Sequence, residues 1–171
     1  VNQCVDSTAN IVWTMMKDAV VLEKDYADLP QVSCYPMQLK QVFMNLLVNA
    51  YQAIEEARAR RPAGRSGEER GVIQIQTLRR GDGIVLRIRD TGIGIPKADL
   101  ARIFDPFFTT KDVGVGTGLG LSISYNIVKR HGGSMRVESE VGSGSLFEVW
   151  LPVRFDEEQS DTIGGGEKGR G

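Results

Sequence analysis

Four short segments place side chains with chemical capacity at fixed spacings. The first holds Asn45, Asn49 and Gln52. At i, i+4 and i+7 these amides project from one side of a helix within an arc of roughly 60°, beside the apolar stripe. Two carboxamides one turn apart offer oxygen to a hard cation such as Mg²⁺, which keeps several waters and takes phosphate oxygens. Two asparagines alone read better as a solvated polar face. The second segment is Asp90-Thr91-Gly92-Ile93-Gly94-Ile95-Pro96. Here an aspartate ends an alternating run, and two glycines let the backbone approach something closely. A carboxylate at that point can accept a hydrogen bond from the exocyclic amine of adenine. An ordinary strand-to-loop turn is the alternative, because a GxG pattern by itself is weak.

The third segment, Phe104 to Lys111, carries three aromatics, Phe104, Phe107 and Phe108, in an irregular stretch. Packing is the expected role of the phenylalanines, and Lys111 supplies a cation in reach of phosphates. The fourth, Gly114 to Leu121, is a glycine-rich loop that runs straight into a helix. Free backbone N–H groups and the positive end of a helix dipole together bind phosphate. No Gly-Lys-Ser/Thr follows, so it is not a P-loop, and it lacks the strand-helix setting of a dinucleotide fingerprint. In isolation a flexible surface loop is an equal reading. What is specific is that all four occur in one order between Asn45 and Leu121.

The elements that must position them follow from periodicity and turn chemistry. A first helix is expected from Asp6 or Ser7 to Lys17, with Ile11, Val12, Met15 and Met16 on its stripe, then a strand over Ala19 to Lys24. An extended piece over Gln31 to Tyr35 leads to the longest helix, Pro36 to Arg58. Pro36 suits its first position, and Leu39, Val42, Phe43, Leu46, Leu47, Ala50 and Ile54 form its buried face. Two strands, Val72 to Arg80 and Ile84 to Asp90, join at Gly81-Asp82-Gly83, a strong hairpin signal. A long loop follows with a short helix near Lys97 to Ile103, then a helix over Gly118 to His131 with Leu119, Leu121, Ile123, Ile127 and Val128 as its apolar positions. A closing hairpin spans Ser134 to Glu140 and Ser145 to Val153. This grouping predicts an α+β sandwich, a mixed sheet covered on one face by helices. Residues 1–18 read as an N-terminal helix and linker, 19–155 as one folded domain that holds all four segments, and 156–171 as a disordered acidic, glycine-rich tail.

Composition narrows the function classes. Lys and Arg number 21 against 22 Asp and Glu, net −1, so no basic footprint for nucleic acid is imposed. The longest apolar run falls far short of the roughly 20 residues that cross a bilayer, so no direct membrane contact is expected. Cys4 and Cys34 lack metal-ligand spacing and read as reduced intracellular thiols. The start at Val1 suits a piece of a longer protein.

The combination resembles the catalytic domain of sensor histidine kinases, of the GHKL group shared with DNA gyrase, a heat-shock chaperone and a mismatch-repair ATPase. Asn45 to Ala50 is similar to the N box, Asp90 to Gly94 to the G1 box, Phe104 to Lys111 to the F box, and Gly116 to Leu121 to the G2 box. Gly144 to Phe147 and Leu151-Pro152 resemble the last hairpin, and the match covers roughly Ala19 to Val153. The resemblance implies ATP and Mg²⁺ as ligands. Asn49 would ligate the metal and Asn45 support the phosphates. Asp90 would bond the adenine amine in a pocket shaped by Gly92, Gly94 and Ile95. Gly116, Thr117, Gly118, Leu119 and Gly120 would line the phosphates under a lid from about Thr109 to Val115, with Lys111 reaching the γ-phosphate. Ser145 stands where the family usually has Thr. Gln52 stands where many members have Lys or Arg, a form found in the nitrogen-regulation-type branch.

The resemblance further implies a cytoplasmic enzyme that phosphorylates a histidine on a separate dimerisation domain, and through it a response regulator. His131, at a helix C-terminus, reads as a cap-side residue interacting with the dipole rather than as that acceptor. Three rivals share the scaffold: a GHKL ATPase, a serine kinase of the anti-sigma class and a nucleotide-binding pseudokinase. The ATPases place a glutamate base four residues before the magnesium asparagine, where this chain has Asn45.

Overall fold

A computed structural model describes residues 1–60, 70–110 and 117–154. The elements are α1 (Asn2–Met16), β1 (Val20–Tyr26), α2 (Pro36–Ala59), β2 (Gly71–Arg80), β3 (Gly83–Asp90), α3 (Gly120–Arg130), β4 (Ser134–Glu140) and β5 (Gly144–Pro152). They form an α+β fold with a mixed sheet of order β1-β2-β3-β5-β4. β1 and β2 run parallel and the other pairs antiparallel. A parallel pair cannot be closed by a tight turn, and α2 is the crossover that joins it.

Alternation explains the sheet. In β3, Ile84, Leu86, Ile88 and Asp90 point toward the helices, while Arg87 and Arg89 point away. The outward face is polar and cross-linked. Gln74 donates to Glu23, Gln76 to Asp25, and both Arg80 and Arg87 to Glu148. All seven residues predicted for the inner face of α2 are buried. α2 packs on β2, β3 and β5, flanked by α1 and α3. Among the described residues no helix is long and apolar enough to cross a membrane.

Three expectations need correction. α1 begins at Asn2, ahead of Asp6 and Ser7. Neither caps it: Ser7 and Thr8 donate back to the Cys4 carbonyl within the helix, and Asp6 pairs with Lys24 at 2.6 Å. Val5, Ala9, Val12 and Met16 join the common core, while Ile11 and Met15 are exposed. The expected helix near Lys97 to Ile103 is a series of turns, with Asp99 N–H on Pro96 O, Arg102 N–H on Asp99 O and Asp105 N–H on Arg102 O. Three-residue bonds dominate between Pro96 and Pro106, so no α-helical ladder builds. Lastly, α3 buries Ser122 and Ser124, and Ile123 is exposed. Each serine hydroxyl is satisfied by a carbonyl of the preceding turn, Leu119 O or Gly120 O, which makes it compatible with burial against α2.

His131 does sit at the C-cap of α3, but buried. Its Nδ1 lies 2.8 Å from Ile127 O and its Nε2 accepts the Tyr35 N–H at 3.0 Å. With both ring nitrogens occupied, it has none to offer an incoming phosphoryl group. Cys4 and Cys34 are free thiols, and burial pushes the Cys34 thiol up, away from the reactive thiolate.

Candidate functional site

A cleft of about 340 Å³ opens between α2, the loop after β3 and the start of α3. The alternation of β3 fixes one end of it. Asp90 terminates the inward row and is only 3% exposed. Its Oδ1 accepts the Gly92 N–H at 2.8 Å, and the backbone of Ser145 also bonds it. Burial pushes this carboxyl up to about 6, although the two backbone bonds pull the other way. Ser145 is its register partner on β5 and is itself buried. Ile95, Ile103, Phe108 and Phe147 supply apolar walls to the cleft that Asp90 lines.

The loop of residues 91–95 is held from three sides. Ile93 N–H donates to Ala53 O of α2 at 3.1 Å, Gly142 N–H donates to Ile93 O at 2.7 Å, and Ile95 N–H donates to Ser139 Oγ at 2.8 Å. Gly94 has φ +73, and a Cβ there would lie 2.0 Å from Glu140 O. Only glycine permits that approach.

The other end of the cleft is the N-terminus of α3. Its N-cap, Leu119, makes no side-chain capping bond of its own, and its N–H reaches Thr117 Oγ1 at 3.4 Å; the first-turn N–H groups that follow have no partner inside the helix and suit an anion. Asn45 holds this end in place, since its Nδ2 donates to Gly120 O and to Ser124 Oγ, both at 3.0 Å. Gly118, at φ +64, packs so closely on Phe107 that a Cβ would sit 2.4 Å from the Phe107 carbonyl carbon. Phe107 N–H donates to Gly118 O at 3.0 Å. Phe107 itself has φ 66 and is 75% exposed, contrary to the packing role expected for it. Phe104 against Tyr125 and Phe108 beneath Arg102 do pack.

Between the two ends α2 presents Asn45, Asn49, Gln52 and Glu56, one side of the helix as the spacing requires. Among the described residues no group of three His, Cys, Asp or Glu side chains could cage a metal. Neutral amide oxygens beside a phosphate subsite still fit Mg²⁺, which draws most of its ligands from water and phosphate.

The structure thus brings together Asn45, Asn49, Gln52, Asp90, Gly94, Ile95, Thr117, Gly118, Gly120 and Ser145. Gly92 acts from behind, through Asp90, and Leu119 is the N-cap of α3. Lys111 and Gly116 lie outside the described residues, as does the centre of the expected lid. Sequence reasoning missed Glu56, which lies one turn beyond Gln52 on the same helix side, and the apolar walls Ile103 and Phe147. The helical period finds the first. Phe147 follows from register, because it pairs with Ile88, two residues before Asp90.

Among the described residues, three helices over a mixed five-stranded sheet of this strand order, with a cleft between the long helix and the last one, form the histidine kinase-type catalytic fold. The chain belongs to the family of histidine kinase-, DNA gyrase B-, and HSP90-like ATPases, whose sequence pattern matches residues 34–155. It is 42% identical over 126 residues to the sensor kinase CckA of Brucella abortus, covering 72% of this chain and 13% of that protein. Sensor histidine kinase ZraS of Escherichia coli is 42% identical over 127 residues, 74% of this chain and 24% of that one. The chain therefore spans about a quarter or less of these relatives' length. Among solved structures, the catalytic domain of histidine kinase ThkA in a nucleotide-free form superposes with a TM-score of 0.72 at 28% identity, covering 90% of this chain and 93% of that one.

Proposed function

We propose that this chain binds Mg-ATP and presents the γ-phosphate to a histidine on a separate helical dimerisation domain, from which a response regulator is then phosphorylated in the cytoplasm. The observation that carries the reading is the pairing of a buried carboxylate at one end of the cleft with the N-terminus of α3 at the other. The first suits a purine amine and the second suits phosphate. Asn49 would hold the metal, which supplies charge neutralisation for the phosphates. Asn45 positions α3 at the phosphate end, and Asp90 orients the base. Lys111 would reach the γ-phosphate, and Gly116, Gly118 and Gly120 would line the phosphates. Phosphoryl transfer proceeds through a loose transition state and asks mainly for such positioning and charge. Gln52, in the Asn-Ala-Tyr-Gln-Ala run from Asn49 to Ala53, fits the nitrogen-regulation-type branch and leaves more of that charge to Lys111 and the metal.

An ATP-hydrolysing cycle is the second reading. Asn45 argues against it, because an amide cannot accept a proton from water and its nitrogen is committed to Gly120 O and Ser124 Oγ. The test is γ-labelled ATP with a histidine-bearing helical domain from the parent kinase, supplied in trans. Acid-labile, base-stable label on that domain supports the proposal. Saturable nucleotide binding with release of free phosphate and no labelled protein would favour the ATPase instead.

A further inference from the structure

Behind the base end of the cleft stands Ser139 of β4, a half-buried residue that lines no part of it. Its hydroxyl is the meeting point of three neighbours. Ile95 N–H donates to Ser139 Oγ at 2.8 Å, Gly144 O accepts from it at 2.9 Å, and Ser145 Oγ lies 2.9 Å away. A hydroxyl has one proton to give. With that proton on Gly144 O, the Ser145 hydroxyl must donate to Ser139. The lone pairs of Ser145 are then left for the cleft, beside the carboxylate of Asp90. Two acceptors side by side match a ring that offers an amino group, and they mismatch a ring that offers a carbonyl oxygen.

We propose that Ser139 is a positioning residue for base selection: it sets Ser145 as an acceptor, so that the cleft prefers a 6-amino purine to a 6-oxo purine, while its bond from Ile95 holds the loop of residues 91–95 equally for either base. This deepens the Mg-ATP reading and rests on it. Ser139 touches no substrate and acts through Ser145 and Ile95. Its removal both frees the Ser145 hydroxyl to donate into the cleft and strips the Ile95 N–H of its acceptor.

The experiment is calorimetric titration of the 171-residue chain with a non-hydrolysable ATP analogue and with its inosine counterpart. The variants are Ser139→Ala, Ser139→Thr, Ser145→Ala and the double alanine variant, each with its melting temperature. Ser139→Ala is expected to lower affinity for the adenine analogue about tenfold, the scale of one hydrogen bond to a charged or buried site, and to narrow the preference for adenine over hypoxanthine. Ser139→Thr keeps the hydroxyl and restores that preference. The double variant loses no more base preference than Ser145→Ala alone, because the selective effect passes through Ser145. A merely structural serine would lower affinity for both nucleotides in parallel, and that result overturns the proposal. So does additive loss of preference in the double variant. Absence of any binding by the unmodified chain would instead bring down the nucleotide reading on which the proposal rests.

Discussion

At the scale of single residues, Asp90 does two things that conflict. It accepts from an amine most strongly when ionised, yet burial raises its carboxyl to about 6. The folded value lies above the unfolded 3.8, the reverse of a salt-bridged acid. Its ionised form therefore weakens the unliganded fold in full above about pH 6, and the effect vanishes below the unfolded value. The size is on the order of 2 to 3 kcal/mol. Nucleotide affinity is expected to be level above pH 6 and to fall about tenfold per unit below it, until the base itself titrates. Asp90→Asn should flatten that profile and erase the preference for ATP over GTP; an unaltered preference removes Asp90 from base recognition. Asn49→Ala should abolish magnesium-dependent transfer and leave the melting temperature within a few degrees, and transfer at the normal rate would refute the metal assignment. Asp90 was legible because alternation in β3 turns it inward after Ile84, Leu86 and Ile88. Ser139 was not, since a serine among polar strand residues carries no signal until its neighbours in space are known.

The start of α3 makes the clearest case at the scale of elements. Its placement at the cleft depends on the preceding chain being turned by Gly118, which has φ +64 and lies against the Phe107 backbone. Gly118→Ala is expected to destabilise by roughly 1 to 3 kcal/mol, from left-handed strain and the clash together, and to weaken nucleotide binding as the Phe107–Gly118 hydrogen bond is displaced. Gly120→Ala is the control. Its Cβ would meet Asn45 Cγ at an ordinary 3.7 Å, so thermal unfolding should show stability kept or slightly raised by helix propensity. Equal melting temperatures for the two variants would contradict this account of the turn. α2, the hairpins and the inward face of β3 were readable from period and turn residues alone, because burial there follows a single rule. α1 misled because its capping candidates are engaged elsewhere: Ser7 spends its hydroxyl on the Cys4 carbonyl inside the helix and Asp6 pairs with Lys24. The serines of α3 misled for the same reason, since polarity implies exposure only until a hydroxyl finds a carbonyl.

At the scale of the whole molecule, the sheet and its covering helices bring four sequence-distant segments to one cleft. Their order along the chain was visible in the sequence, whereas their convergence rests on tertiary bonds such as Ile93 to Ala53, Gly142 to Ile93 and Asn45 to Gly120. A ligand that ties those segments together should stabilise the native state by mass action, about 2.7 kcal/mol at a hundredfold excess over Kd. That corresponds to a rise of several degrees in the melting temperature. The most direct test of the central claim is calorimetric titration of the chain with a non-hydrolysable ATP analogue, with and without Mg²⁺. The account predicts saturable one-to-one binding that Mg²⁺ strengthens and Asn49→Ala renders insensitive to the metal. No binding at millimolar nucleotide in either condition would contradict it.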